Sequence, residues 1–267
     1  MADRSFEVKT SDGTMLSGKR IGDPSKPVLV FSHSLGCTAA MWTDQAEALS
    51  DRFCVLLYDT RGHGQSGAPP GAYSLCRLSL DVLEILDALE IEQAHFCGLS
   101  LGGMIGQVLA VRAPQRLASL VLAATSAYLG PPSGWQARID LVSAEGMAAL
   151  EEVALPKWFA PQGFAAETRV EAARGWLLNT DPIGYTGCCA AIRDMDLRAL
   201  AAGNHVETLV LAGAHDTATP REHSAFLSSR ASHAALVELQ GAHLLNLEQP
   251  AAFTAALEDF YLQLDAA

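Results

Sequence analysis

The sequence predicts an α/β fold: a mostly parallel, eight-stranded sheet with helices on both faces and an inserted helical cap. Three observations carry this expectation. Short apolar runs of strand type alternate with helix-patterned segments along most of the 267 residues. One stretch, from about Tyr128 to Ala202, breaks the alternation and has no strand signal. Between a strand run and a helical run, Gly98-Leu99-Ser100-Leu101-Gly102 spells G-x-S-x-G.

The elements follow in order. Residues 5–10 and 15–20 read as two strands joined by the Asp12-Gly13 turn, an antiparallel start. Residues 27–31 and 53–58 are continuous apolar runs, as expected of strands covered on both faces. Further strands are expected at 93–97, 117–123, 208–212 and 235–239. Helical patterns lie at 42–49, 75–89, 101–112, 222–229 and 251–264. The core domain is therefore placed at 1–127 and 203–267, and the cap at 128–202. The cap opens on Gly130-Pro131-Pro132-Ser133-Gly134, read as a turn-rich hinge. Helical segments are expected around 138–142 and 147–153, followed by Lys157-Trp158-Phe159.

Composition limits the function classes. Hydrophobic residues make up 49%, enough for a sizeable core. The net charge of −12, with no basic run, argues against nucleic acid and against an anionic membrane surface as partners. No run of apolar residues is long enough to span a bilayer, and no secretory leader is recognised. The six cysteines (37, 54, 76, 97, 188 and 189) have neither zinc-site nor disulfide-framework spacing, which fits a reducing cytoplasm. No metal or organic cofactor is expected, and the oligomeric state, a homo-oligomer included, is left open.

The strand, sharp turn and helix around Ser100 make a nucleophile elbow, which aims the serine at carbonyl carbons. A serine hydroxyl needs a base, and the base needs an orienting carboxylate. After an elbow the expected order is serine, acid, histidine. Asp216 ends the strand run Leu209-Val210-Leu211-Ala212, and His243 follows the run that ends at Leu239. They are assigned as orienter and general base. His33 and His63 also follow strands but precede Ser100 and break the order; His215 adjoins Asp216 and would point elsewhere. The oxyanion would be held by the N–H of Leu101 and a second N–H from Ser32-His33-Ser34-Leu35-Gly36, with Leu35 favoured over Ser34. The loop Asp59-Thr60-Arg61-Gly62-His63-Gly64-Gln65-Ser66 is read as structural support beneath the site.

The elbow, that loop, Asp216 and His243 together resemble the α/β-hydrolase fold over almost the whole chain. A narrower set is similar to 3-oxoadipate enol-lactonases of the β-ketoadipate pathway: FSHSLGCTAAMW, YDTRGHGQSGAPPGAYSL, FCGLSLGG, GWQARIDLVSAEGM, LPKWF and GAHLLNLEQP. The core motifs are shared with esterases, C–C hydrolases, haloperoxidase-like enzymes and dehalogenases; the cap segments narrow the field. Where that family often has Asn-Ser-Leu-Gly, this chain has His33-Ser34-Leu35-Gly36.

The resemblance implies hydrolysis of a small anionic enol-lactone through an acyl-enzyme, without a cofactor. A substrate carboxylate wants an Arg fork. Arg138 and Trp135 share one helical face at i, i+3 spacing, and Trp158 would wall an apolar pocket. Trp135, Arg138, Trp158 and Ser34 are the expected substrate contacts, with Lys157 and Arg193 as weaker cationic candidates.

Overall fold

The computed structural model describes residues 4–266. Its sheet has eight strands in the order β1-β2-β4-β3-β5-β6-β7-β8. The strands are β1 (Arg4–Lys9), β2 (Met15–Ile21), β3 (Val28–Ser32) and β4 (Cys54–Tyr58), then β5 (Ala94–Leu99), β6 (Leu117–Ala123), β7 (Thr208–Gly213) and β8 (Ala234–Leu239). The β1–β2 and β2–β4 pairs are antiparallel, and every other pair is parallel. The apolar runs of β3, β4, β5, β6 and β7 are buried almost throughout, as parallel strands covered on both faces must be. β8 and β1 lie at the sheet edges and are largely exposed. The fold is the expected one, with element ends shifted by a residue or two.

Helices α1 (Thr43–Leu49), α2 (Leu75–Ala88) and α3 (Leu101–Arg112) connect the first parallel strands. Residues Leu101 to Ala110 of α3 are all buried, because this helix lies against the sheet centre. Four helices follow β6: α4 (Pro132–Glu145), α5 (Glu151–Trp158), α6 (Glu167–Asn179) and α7 (Pro182–Arg193). The last are α8 (Arg221–Arg230), the short α9 (Leu245–Glu248) and α10 (Pro250–Asp265). The two roots of the segment between β6 and β7 meet, where Leu197 N–H donates to the Ala127 carbonyl at 2.8 Å.

One local expectation needs correction. The turn-rich stretch 130–134 is shorter than expected, since Pro132 already opens α4. Proline suits that first turn: its missing N–H would have no helical partner and its φ is already helical. Residues 167–193, expected to be helical without individual bounds, form α6 and α7. Gly184 and Gly187 weaken the local helix signal of α7 but serve its packing. A Cβ at Gly184 would lie 2.1 Å from Gly62 Cα, so the helix rests directly on the 59–66 loop.

Register places the site. Ser32 is level with Gly98, Leu99 with Ala123, and Ala123 with Leu211. The loops after β3, β5, β7 and β8 therefore leave one edge of the sheet. The chain steps outward from β3 to β4 and then returns to β5 on the other side of β3. Such a reversal opens a crevice at the carboxyl ends of the strands.

Candidate active site

Ser100 sits between β5 and α3 with φ +57° and ψ −112°, a strained conformation for a residue with a side chain. Its surroundings impose it. Ser100 N–H donates to the Ala123 carbonyl at 2.9 Å, and its own carbonyl accepts from Thr125 Oγ1 at 2.7 Å. The turn closes only over glycine. A Cβ at Gly98 would lie 2.2 Å from the Gly102 carbonyl oxygen, and one at Gly102 would lie 2.2 Å from that of Ser32.

The three residues expected to act together meet. Ser100 Oγ is 2.9 Å from His243 Nε2, and His243 Nδ1 is 2.9 Å from Asp216 Oδ2. All three are buried. Asp216 also accepts from Thr219 Oγ1 at 2.6 Å and from the N–H groups of Ala218 and Thr219 at 2.7 and 2.9 Å. Burial works against the Asp216 charge. Electrostatic attraction and a hydrogen bond from His243, together with the Thr219 bonds, nevertheless hold its carboxyl below the usual range. An ionised Asp216 accepts a hydrogen bond from Nδ1–H, which fixes the proton on that nitrogen and leaves Nε2 to accept from the serine hydroxyl. Sequence reasoning misses Thr219; its signal is its place three residues after Asp216, just past the Asx turn that closes on the Ala218 N–H.

The N–H groups of Leu35, Ser34 and Leu101 have no acceptor among the described residues. Leu101 begins α3, where the first N–H groups have no partner within the helix. Ser34 and Leu35 line the same cavity as Ser100, and these unpaired donors are the candidates for holding an oxyanion.

The loop carrying Leu35 is braced by His33 and His63. His33 Nδ1–H donates to the Ser34 carbonyl at 2.8 Å, and Nε2 accepts from Thr60 N–H at 2.9 Å. His63 Nε2 accepts from Gly36 N–H at 3.0 Å. Burial pushes the two imidazoles down, to about 4 for His33 and about 3 for His63, so both are neutral at pH 7. Beneath them, the Arg61 guanidinium grips both oxygens of Asp81 at 2.6 Å. The 59–66 loop thus supports the site.

A cavity of about 310 Å³ opens over Ser100 and His243. That volume suits a small molecule. Ser34, Leu35, Trp135, Arg138 and Trp158 all line it, whereas the side chain of Leu101 does not. Trp135 is anchored through Nε1–H to the Leu129 carbonyl at 2.8 Å, and Arg138 stacks over its ring at 5.0 Å. Arg138 Nη1 also reaches the Tyr185 hydroxyl at 3.4 Å, and Tyr185 itself lines the cavity. Among the described residues neither Arg138 nor Lys157, the second cation on the wall, has an acidic partner, and no Asp or Glu lines the cavity. Arg193 does not reach it, being held by Asp194 and Gln136. A chain with net charge −12 therefore presents a locally positive cavity over a serine–histidine–aspartate relay. The arrangement can attack a carbonyl and hold an anionic substituent nearby. No cluster of three or more metal-ligating side chains occurs among the described residues, and no helix there is long and apolar enough to cross a membrane.

Comparison with known proteins agrees with this architecture. The profile of the alpha/beta hydrolase fold matches residues 27–144. The 3-oxoadipate enol-lactonase 2 of Acinetobacter baylyi is 38% identical over 94% of this chain and 95% of its own length. A protein of Agrobacterium fabrum named for carbamate hydrolysis (RutD) is 34% identical over 91% of this chain and 96% of its own. The crystal structure of the enol-lactonase from Burkholderia xenovorans LB400 superposes with a TM-score of 0.92 at 38% identity, covering 96% of this chain and all of that one.

Proposed function

The chain belongs to the α/β-hydrolase fold family and is a hydrolase of that fold; we propose that it opens a small carboxylate-bearing enol-lactone, converting 3-oxoadipate enol-lactone to 3-oxoadipate. The observation that carries this reading is the pairing of the Ser100–His243–Asp216 relay with an acid-free cavity holding the unpaired Arg138. Similarity to enol-lactonases over nearly the full length supports the same choice.

The geometry suggests a course for the reaction. Ser100 Oγ attacks the lactone carbonyl as His243 Nε2 takes its proton, and Asp216 stabilises the imidazolium. The oxyanion of the tetrahedral intermediate accepts from the N–H groups of Leu35 and Leu101. Collapse breaks the ring C–O bond. His243 returns the proton to the enol oxygen, and the enol ketonises while the chain stays bound to Ser100 as an ester. Water, deprotonated by His243, then attacks that ester. The second tetrahedral intermediate releases the carboxylate and restores the serine hydroxyl. The helices of residues 128–202 act as a cap over this chemistry, with Arg138 on the substrate carboxylate and Trp158 along the apolar ring.

The test separates charge recognition from catalysis. kcat/KM is measured for the enol-lactone and for a neutral nitrophenyl ester, in wild type and in Arg138→Ala. Losing one charge-assisted pair should cost the lactone about 1.5–3 kcal/mol, a tenfold to hundredfold fall, while the neutral ester keeps most of its rate. Equal losses on both substrates would make Arg138 a structural element of the cap. Turnover of a carbamate or a vinylogous diketone in place of the lactone would refute the substrate assignment.

A further inference from the structure

The loop that carries His243 is fastened on both sides of the histidine, and both fastenings lead to the cavity wall. On one side, the Ala242 N–H donates to Glu248 Oε2. On the other, the Leu244 N–H donates to the carbonyl of Trp158 at 3.0 Å. The second oxygen of Glu248 closes the circuit, since Oε1 accepts from the N–H of Ala160 at 2.7 Å. Trp158 ends α5 and lines the cavity, and Ala160 follows two residues later. One carboxylate therefore joins the residue before the base to the chain just beyond the substrate wall.

Glu248 is only 3% exposed, and no Lys, Arg or His lies within ion-pair distance of it among the described residues. Burying a carboxylate without a cation is costly, and two backbone N–H groups are its compensation here. Gly241 makes room for it, because a Cβ there would stand 3.1 Å from Oε2. A neutral acceptor could not do the same work. A glutamine offers one oxygen and one NH2, and the NH2 would face an N–H.

We propose that Glu248 is a positioning residue that sets His243 against Ser100 by locking the base-bearing loop to the α5 end of the cavity wall. This rests on the role given to His243 above. The consequence is directional. Displacing the wall at 158–160 displaces the base, so the relay is in register only when α5 is seated. Misplacing a base by about 1 Å can cost on the order of a hundredfold in rate.

Two variants test it from opposite ends. Glu248→Gln spoils one of the two bonds, and Ala160→Pro removes the N–H on the wall side while leaving Glu248 in place. Active sites are counted by fluorophosphonate titration to completion, and kcat and KM are measured per titrated site on a lactone and on a neutral ester. Both variants should lose about ten- to a hundredfold in kcat on both substrates, with KM within about twofold of wild type. A purely structural role would lower the number of titrated sites or the melting temperature without changing kcat per site. The proposal is overturned if kcat per site stays near wild type in either variant; should Glu248→Gln fail to fold, Ala160→Pro decides alone. His243→Ala is the control. If it loses labelling and turnover while the two variants do not, this inference alone fails. If it keeps both, the reading of His243 fails and the inference with it.

Discussion

Acid should loosen this fold through His33 and His63 before it touches the carboxylates. Each imidazole accepts a backbone N–H on Nε2, from Thr60 and Gly36 respectively. Protonation would set an N–H against an N–H in a fully buried space. Burial accordingly lowers His33 from 6.5 to about 4 and His63 from 6.5 to about 3. In the unfolded chain both would titrate near their ordinary value, so below that pH the unfolded state binds more protons than the native one. The stabilisation is complete above about pH 6.5 and is lost as the pH falls toward the folded values. At pH 5 the gap is about 1.5 pH units, or about 2 kcal/mol for each histidine and about 4 for the pair. Carboxylates held low, such as Asp216, contribute their own loss only below about pH 4. His95 is also pushed down by burial, to about 4, and acts in the same direction. Comparing wild type with His33→Asn cancels it. Urea denaturation at pH 7, 6 and 5 is the assay. The variant should show about 2 kcal/mol less pH dependence than wild type between pH 7 and 5. Identical slopes in the two proteins would refute the argument, because they would mean that His33 is protonated in the folded state as readily as in the unfolded one.

Two further outcomes follow from the geometry. Ser100→Ala should leave the fold intact and remove about 10³-fold or more of kcat together with all fluorophosphonate labelling; an acyl adduct trapped on another residue would move the nucleophile elsewhere. Gly184→Ala should reverse the usual helix rule. Alanine ordinarily gains about 1 kcal/mol over glycine in a helix, but here its Cβ meets Gly62 Cα at 2.1 Å, so thermal unfolding should show a lowered melting temperature.

The parts of the molecule legible in the sequence were those that local chemistry determines. The buried strands show as unbroken apolar runs because both their faces are covered. Ser100 shows because only glycine tolerates the contacts at 98 and 102. Asp216 and His243 show because each follows a strand run in the order that an elbow demands. α7 was harder to read, since its glycines at 184 and 187 look like breakers until Gly62 and Tyr73 are seen against them. Glu248 gave no signal at all. It lies five residues after His243 on a four-residue helix, and its partners at 160 and 242 are joined only by the fold.

The same division separates the relay from the cavity. The relay is held by loops that leave one sheet edge, and every member of it could be placed by chain order. The cavity is held by the local bond of Trp135 to Leu129 and by pairings between distant segments, Arg138 against Tyr185 and Trp158 on Leu244. Under the proposed function, a change in the 128–202 segment should therefore alter which substrate fits without disturbing Ser100. Trp158 and Ala160 are the exceptions, because the carbonyl of the one and, through Glu248, the N–H of the other also hold the loop of His243. Substitutions that reshape the wall through the Trp158 ring leave that carbonyl in place, and should change KM more than kcat. Substitutions that shift its backbone should do the reverse. The ratio of the two effects in variants of α5 and its end thus measures how tightly the cavity wall and the His243 loop are joined there.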